Sequence, residues 1–570
     1  MPVLFSMRSV DEKTMTGKAL EKIIASVQND SSVVLESGEY HFWSDCCRCV
    51  EGYHFSNTAS AEENPRGAHP VAIFLKKKKN VCIDGNGCKI VVHGIMTPLI
   101  FDRCENLVVK NMTIDYARPT MSEFTVLKKV NGGYIISIAK DSLFDIVGAR
   151  IIWHGERGRD GKYLWAFDYR DYMSISMYKD PETERVRVMG RDSECKFPCV
   201  PEFSSVADLG GGLLKVTLKE EKAFFPVGCT VQTRNTVRDQ IGGAFVNCKN
   251  VLFEKVTIRA MHGLGLLAQL CDTVTFRNIN ITPSAGRTTA SNADFFHVSN
   301  CCGKITVEGC VCSDGHDDFI NVHGTHLKIE EIEYNTLRVG FVELHSYGFC
   351  PFKRGDRIDF IDRLTLLPYG GVTVKSVSII SELEFLLTAD EEIRARVGDY
   401  VENATMTPEV LIKNNKFGPS MGRGILCTTR KKAVIENNLF YKTGGNVLCI
   451  EDDCNFWFES GYTTDVSFVN NRVVACGYGS LEEDNVPVIS VNPQVVVRDK
   501  PVYVHKRISV ENNEFSDLPK NSYVAEIKNT EEFIFLTNTS DCIFEIKSKQ
   551  VKKTEIQTSE NLILRSWDYD

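Results

Sequence analysis

The chain has 570 residues, 43% of them hydrophobic, a formal net charge of −9 and a pI near 5.8. That length buries one or more large cores and suggests several domains. The acidic balance argues against nucleic acid as the main partner, which needs clustered Lys and Arg, and no apolar stretch reaches the ~18 residues of a membrane span.

The opening "MPVLFSMRSVDEKTM" has neither a long apolar region nor a small-residue cleavage site. The expected location is therefore cytoplasmic, or exported with the signal peptide outside this sequence. "TGKALEKIIASVQND" has helical period and precedes the strand-like "SSVVLESGEYHF". An amphipathic helix here would cap the open end of a strand stack and shield its edges. The 21 cysteines are odd in number, and many sit in apolar runs such as "NVCID" and "GNVLCI". They read as small buried hydrophobes in a reducing compartment. "DCCRC" sets Cys46 and Cys49 at metal-type spacing, but no second CxxC pairs with it. A structural zinc site usually takes four ligands, so no metal is expected. The one basic run, Lys76 to Lys79, leads straight into a strand-like segment and reads as a solvated turn.

A short repeat then dominates: "NVCIDGNGCKI", "NLVVKNMTID", "NVLFEKVTI", "TVTFRNINI", "KITVEGCVC", "EVLIKNNKF", "KAVIENNLF", "DVSFVNNRVV" and "RISVENNEF". The last apolar residue before each polar pair is Ile83, Val109, Phe253, Phe276, Val307, Ile412, Ile435, Phe468 and Val510, with several gaps between 23 and 33 residues. Units this short cannot fold alone and must stack. Strand composition at that period predicts a right-handed parallel β-helix, with the recurrent Asn supplying the left-handed corner residue. An ordinary β-sandwich would not repeat "KNN", "ENN", "VNN" and "ENN" at one phase.

Two gaps break the period, 144 residues from Val109 to Phe253 and 105 from Val307 to Ile412. Within them, "GGYIISIAK", "GGGLLKVTLK" and "GGVTVKSVSIISELEFLLT" carry antiparallel hairpin signals. The expected layout is a capping helix and first coils at 1–117, an inserted β-barrel-like domain at 118–235, the helix core at 236–326, a second insertion at 327–406, and the last coils with an end cap at 407–570. "HGLGLLA" resembles a dinucleotide fingerprint, but a strand rather than a helix follows it, so its glycines belong to a coil corner.

In the core, Asp294-Phe295-Phe296-His297-Val298 is echoed 24 positions later by Asp318-Phe319-Ile320-Asn321-Val322. Stacked coils lie about 4.8 Å apart, so Asp294 and Asp318 are expected as neighbours, with Asp317 beside them. Crowded carboxylates raise one another's pKa, giving an acid and a base side by side, as glycosidic cleavage requires. Adjacent residues of a flat strand point oppositely, so Asp317 and Asp318 share a face only near a corner, which "SDGH" supplies. Any one of these aspartates alone reads as a turn cap. An aligned pair with a neighbour, and with His297, His316, His323 and Asn321 nearby, reads as a site. Spacing leaves retaining and inverting chemistry open.

The stretch "PSAGRTTASNADFFHVSNCCGKITVEGC…DGHDDFINVHG" resembles glycoside hydrolase family 110, the bacterial exo-α-1,3-galactosidases. The resemblance implies removal of terminal galactose from branched, blood-group-B-type glycans and, in one subgroup, linear ones, by a metal-free inverting reaction with no cofactor. It implies Asp294 as general acid and Asp317 with Asp318 as the water-activating bases. The polygalacturonases share the bare pattern, but this chain lacks their Gly-His-Gly and Arg-Ile-Lys. The partner expected is an oligosaccharide or glycoconjugate with terminal α-galactose, the protein acting as a monomer or homo-oligomer.

Further candidates for the sugar are Arg423 and Arg430 in "GRGILCTTRKK", and Glu451, Asp452, Trp457, Glu459 and Tyr462 in "CIEDDCNFWFESGY". An aromatic ring under galactose with carboxylates on its hydroxyls is the usual chemistry. The alternative is that Trp457 is core packing and Glu451 to Asp453 a solvated turn, and Arg287 reads equally as a loop salt bridge. Other readings are a different β-helix hydrolase, a calcium-dependent lyase, and a non-catalytic glycan-binding helix.

Overall fold

The computed structural model describes residues 3–4, 13–190, 200–220, 225–479, 486–497, 500–520, 522–541, 543–558 and 562–566. A 32-stranded sheet winds through the chain, and its coil-to-coil pairings are parallel. They form three ladders, the sides of a parallel β-helix. The nine repeat residues from Ile83 to Val510 fall in one register column, each opposite the next. All nine are fully buried. Val109 pairs directly with Phe253, and Val307 with Ile412. Each long gap is therefore a single excursion that returns to the adjacent coil. A file of rings, Phe295, Phe319, Phe417, Phe440 and Phe468, runs along the interior with centroids 5.0–5.9 Å apart.

The paired asparagines divide two tasks. The first of each pair, Asn414, Asn437, Asn470 and Asn512, takes the left-handed corner, with φ between 55° and 58°. The second points inward and builds a ladder. Asn415 Nδ2 donates to Asn438 Oδ1 at 2.9 Å, Asn438 to Asn471 at 3.0 Å, Asn471 to Asn513 at 3.1 Å and Asn513 to Asn538 at 2.9 Å. Each also donates to a carbonyl one coil back. Replacing Asn471 by Leu strips partners from two donors and two acceptors, each costing about 1–3 kcal/mol when left buried. The expected result is a loss of several kcal/mol, read by chemical denaturation.

Cysteines play the same part at another corner. After the left-handed residues Arg103, Asn247, Leu270 and Asn300 come Cys104, Cys248, Cys271 and Cys301. Three of these four accept a backbone N–H from the preceding coil's cysteine at 3.4 Å, and all four thiols donate to a carbonyl.

The helix Lys13–Ser26 packs over the first coil, burying Leu20 and Ile24 against the main core. A Cβ on its Gly17 would lie 2.4 Å from the His41 carbonyl oxygen, so only glycine permits this approach. Two seven-stranded antiparallel sheets occupy the excursions, one with strands from Ser122 to Asn235 and one from Leu327 to Asn403. Each has its own core, around Trp153 and Leu214 and around Ile358 and Phe385. The strands Ala525–Leu536, Phe544–Gln557 and Leu562–Ser566 continue the parallel ladders at the C-terminal end.

Candidate active site

The aspartates lie at one corner of the helix, where Met261, Ser291, Gly315, Ser420 and Thr443 bridge from coil to coil. Three residues further along each coil stand Leu264, Asp294, Asp318, Arg423 and Asn446. Backbone bonds fix that column: Gly265 N–H to the Asp294 carbonyl at 2.7 Å, Phe295 N–H to Asp318 at 2.9 Å and Gly424 N–H to Asn446 at 2.7 Å. Asp317 occupies the column beside it, next to Gly422. A Cβ on Gly422 would fall 2.1 Å from the Asp317 carbonyl carbon, so the glycine is what lets this backbone close up. Asp294, Asp317 and Asp318 each bring one carboxylate oxygen within 4.8 Å of the others. The same trio is the set of described residues whose ligand atoms lie close enough to share a cation, but two guanidinium groups already face it.

The three carboxylates are not equivalent. Asp318 is 1% exposed and its oxygens are filled. Arg423 donates from Nε to Oδ1 and Oδ2 at 2.9 Å, from Nη2 to Oδ2 at 2.8 Å, and from its backbone N–H to Oδ1 at 3.0 Å. Burial raises the Asp318 pKa, and this fork opposes it. Asp317 keeps 30% of its side chain exposed, with Arg238 Nη2 3.8 Å from Oδ2. Burial and Asp294 raise its pKa while Arg238 opposes. Among the described residues, no Lys or Arg forms an ion pair with Asp294. Burial and the Asp318 charge push its carboxyl well above the usual range.

A chain of imidazoles fixes where that proton sits. The Gly324 carbonyl can only accept, so His323 Nδ1, 2.6 Å away, carries a hydrogen. Burial pushes His297 down to about 4 and lowers His323 as well, so both rings are neutral near pH 7. His323 Nε2 is then an acceptor and takes Nε2–H of His297 at 2.9 Å. His297 Nδ1 is left bare and lies 2.8 Å from Asp294 Oδ2. A neutral ring offers one donor and one acceptor, so the remaining proton belongs to Asp294, which donates it to His297.

This arrangement corrects several expectations. His297 and His323 are buried behind Asp294 and hold its proton instead of lining a sugar pocket. His316 is buried too, bonded to Gln232 at 2.7 Å and Arg234 at 3.4 Å from the first antiparallel sheet. Arg287 is drawn away by Asp141 at 2.9 Å, Glu123 at 3.7 Å and the Met121 carbonyl. Arg430 is held by Glu402 and Asp359 over the Tyr462 ring, and Asp452 bonds His326 at 2.9 Å. These groups tie the second antiparallel sheet and its neighbours to the helix.

Glu459 and Asn321 bond each other, and the Glu459 carboxylate acts on Asp294. Glu459 accepts from Asn57 at 2.6 Å and Asn321 at 3.2 Å, while Asn321 Oδ1 is buried without a partner. Asp453 accepts backbone N–H groups of the turn at 455–458 and so presents the half-buried Trp457 beside His345, ring centroids 6.4 Å apart. Glu451 is partly exposed, takes the Cys449 thiol at 3.3 Å and lies in the field of Arg423. The segments around Asn57 and His345 close over the strands that follow the aspartates, linked by the Ser346 hydroxyl to Asn57 at 2.8 Å and the Thr58 N–H to the His345 carbonyl at 3.2 Å. Sequence reasoning missed Arg238, Asn57 and His345. None lies in the repeat phase, and Arg238 comes only a few residues after the first antiparallel sheet ends.

Comparison with known proteins decides the family. Alpha-1,3-galactosidase A of Bacteroides fragilis (strain YCH46) is 32% identical over 514 residues, covering 89% of this chain and 81% of the relative. The chain belongs to that family, glycoside hydrolase family 110. Alpha-1,3-galactosidase A of Bacteroides thetaiotaomicron is 33% identical over 480 residues, 83% of this chain and 79% of that one. The domain family described as GLAA-B beta-barrel domain II matches residues 336–401, within the second antiparallel sheet. Among solved structures, an exopolygalacturonase from Thermotoga maritima superposes with a TM-score of 0.39 at 12% identity, over 96% of this chain and 87% of that one. The "NAD" and "DD" segments of the chain form a single corner with Arg238 and Arg423.

Proposed function

We propose that the protein is an exo-acting α-1,3-galactosidase that hydrolyses terminal α-1,3-linked galactose from branched, blood-group-B-type glycans and from linear ones, with inversion. The observation that carries this reading is the buried Asp294, bonded to His297 Nδ1 at 2.8 Å, within 4.8 Å of a partly exposed Asp317 that faces Arg238. Asp294 protonates the departing glycosidic oxygen. Asp317 takes a proton from the attacking water, and Arg238 keeps Asp317 ionised until it does so. Asp318, its lone pairs committed to Arg423, holds the corner and supplies negative charge toward the developing oxocarbenium ion. The names of the relatives support galactose as the sugar. Exo action fits the closed side of the site, where Glu459 and Asn321 lie under the segments around Asn57 and His345.

A nearest-oxygen spacing of this size also occurs where a covalent intermediate forms, so the anomer released is the deciding observable. A proton NMR time course on a Galα1→3Gal-terminated oligosaccharide in EDTA is expected to show β-galactose before mutarotation. Release of α-galactose first would remove Asp317 as water-activating base, and loss of activity on chelation would put a cation among the three aspartates.

A further inference from the structure

The outermost strand of the first antiparallel sheet, Val186–Val188, lies against the β-helix at Tyr478. The Tyr478 hydroxyl accepts the Val186 N–H at 3.2 Å and sits 3.0 Å from the Ser420 carbonyl. Two ion pairs hold this seam, Lys179 with Asp314 at 2.5 Å and Lys442 with Glu184 at 2.7 Å. Both carboxylates are thereby committed to lysines.

Arg185 and Arg187 have no such partner. They flank Val186, and alternate residues of an extended segment leave the same face. Their guanidinium groups lie over the Tyr478 ring, 5.2 Å and 5.4 Å from its centroid. Among the described residues neither arginine forms an ion pair. Arg185 Nε and Arg187 Nη1 are buried without a hydrogen-bond partner, while both residues remain partly exposed. Asp180 pairs its backbone N–H with the Arg185 carbonyl at 3.0 Å, but its carboxylate accepts from the Thr183 hydroxyl and from the N–H groups of Glu182 and Thr183. The ring face attracts a cation but offers its N–H groups no lone pair. Two like charges therefore converge on one ring with buried donors unfilled, which is unfavourable until an anion joins them.

We propose that Arg185 and Arg187 form an oxyanion site that takes a phosphate or sulfate group between two guanidinium forks above Tyr478. A planar fork matches such a group in bidentate fashion, and a tetrahedral oxyanion has oxygens enough for two forks where a carboxylate has only two. The lysine pairs fix the strand independently, so the site is formed before its ligand arrives. The group comes either as the free inorganic ion or as an ester on a sugar, since both present the same oxygens. An occupant would tie the edge of the inserted sheet to Tyr478, and through Ser420, whose hydroxyl lies 3.0 Å from the Asp317 carbonyl, to the coil that carries the aspartates. The proposal is independent of the galactosidase reading.

The test is titration calorimetry on the full chain with inorganic phosphate and, separately, with glucose 6-phosphate, using chloride at matched ionic strength as the control. Saturable binding of at least one is expected, weakened about tenfold or more when Arg185→Gln and Arg187→Gln are combined. Phosphate binding as tightly as the ester identifies the free ion as ligand, and an ester that binds more tightly identifies the sugar-borne group. The thermal midpoint of the wild type should rise with the ligand more than that of the double variant, because general salt effects act on both alike. Arg187→Lys guards against a folding defect: it keeps the charge beside the ring but loses the fork, and is expected to weaken binding too. Absence of saturable binding to either compound, or an affinity unchanged in both the double variant and Arg187→Lys, overturns the site.

Discussion

Asp294→Asn is expected to lower kcat for a Galα1→3Gal substrate by about 10²–10⁴-fold, the usual range for a lost general acid. The loss should shrink toward unity for α-galactosyl fluoride, whose leaving group needs no proton. A structural role for Asp294 would depress both substrates alike, so the two together identify the proton donor. Stability provides a second check, and its sign is opposite to that of activity. The folded-state pKa of Asp294 lies well above the unfolded carboxyl value. In the range between them, the native state binds a proton that the unfolded state has released. The Asp294 contribution to stability therefore falls as pH rises through that range. Asn does not titrate and can still meet His297 Nδ1 with its amide N–H. Denaturant midpoints for Asp294→Asn at neutral pH should accordingly equal or exceed those of the wild type while activity is lost. A variant that is both inactive and markedly less stable would contradict the proton assignment.

The helix was legible because its signal is periodic. An apolar residue followed by a polar pair recurs at one phase, and all nine such residues occupy a single buried column. The echo of Asp294 in Asp318 was legible for the same reason, since Phe296 pairs with Ile320 and His297 with Asn321. What failed was direction. Sequence gives the column of a residue but not what packs on that column. His297 and His323 looked like sugar ligands because they neighbour the aspartates, yet segments distant in sequence bury them, leaving Asp294 and Gly324 as their hydrogen-bond ends. Arg287 and Arg430 looked like ligands because they lie near the core coils, yet acidic groups of the two antiparallel sheets claim them. Arg238 was invisible because it stands outside the repeat, and only the return of the chain from its first excursion brings it to Asp317. The second asparagine of each pair escaped notice because the corner conformation alone seemed to account for both.

Arg423→Met is expected to destabilise the protein by about 3–5 kcal/mol, the cost of leaving a buried charge without its partner. The two partners are unequally placed: Asp318 is 1% exposed at its side chain and Arg423 29%. Removing the arginine strands a carboxylate that water cannot reach, whereas Asp318→Asn leaves a guanidinium with an outlet to solvent. Asp318→Asn should therefore cost less, and the double variant should recover part of the Arg423→Met loss, giving a measurable coupling in a double-mutant cycle. The pH dependence follows from the same asymmetry. Without the guanidinium, burial and Asp317 act on Asp318 unopposed and its folded-state pKa rises further above the unfolded value. The native state then retains a proton over a wider range, and the variant loses stability with rising pH more steeply than the wild type. Unfolding measured at pH 5 and pH 8 should show the larger deficit at pH 8. Arg423→Lys should restore charge but not the fork, because one ammonium cannot reproduce the planar pairing. A deficit independent of pH would mean that Asp318 is neutral in the wild type, and the corner would then have only Asp317 as its anion.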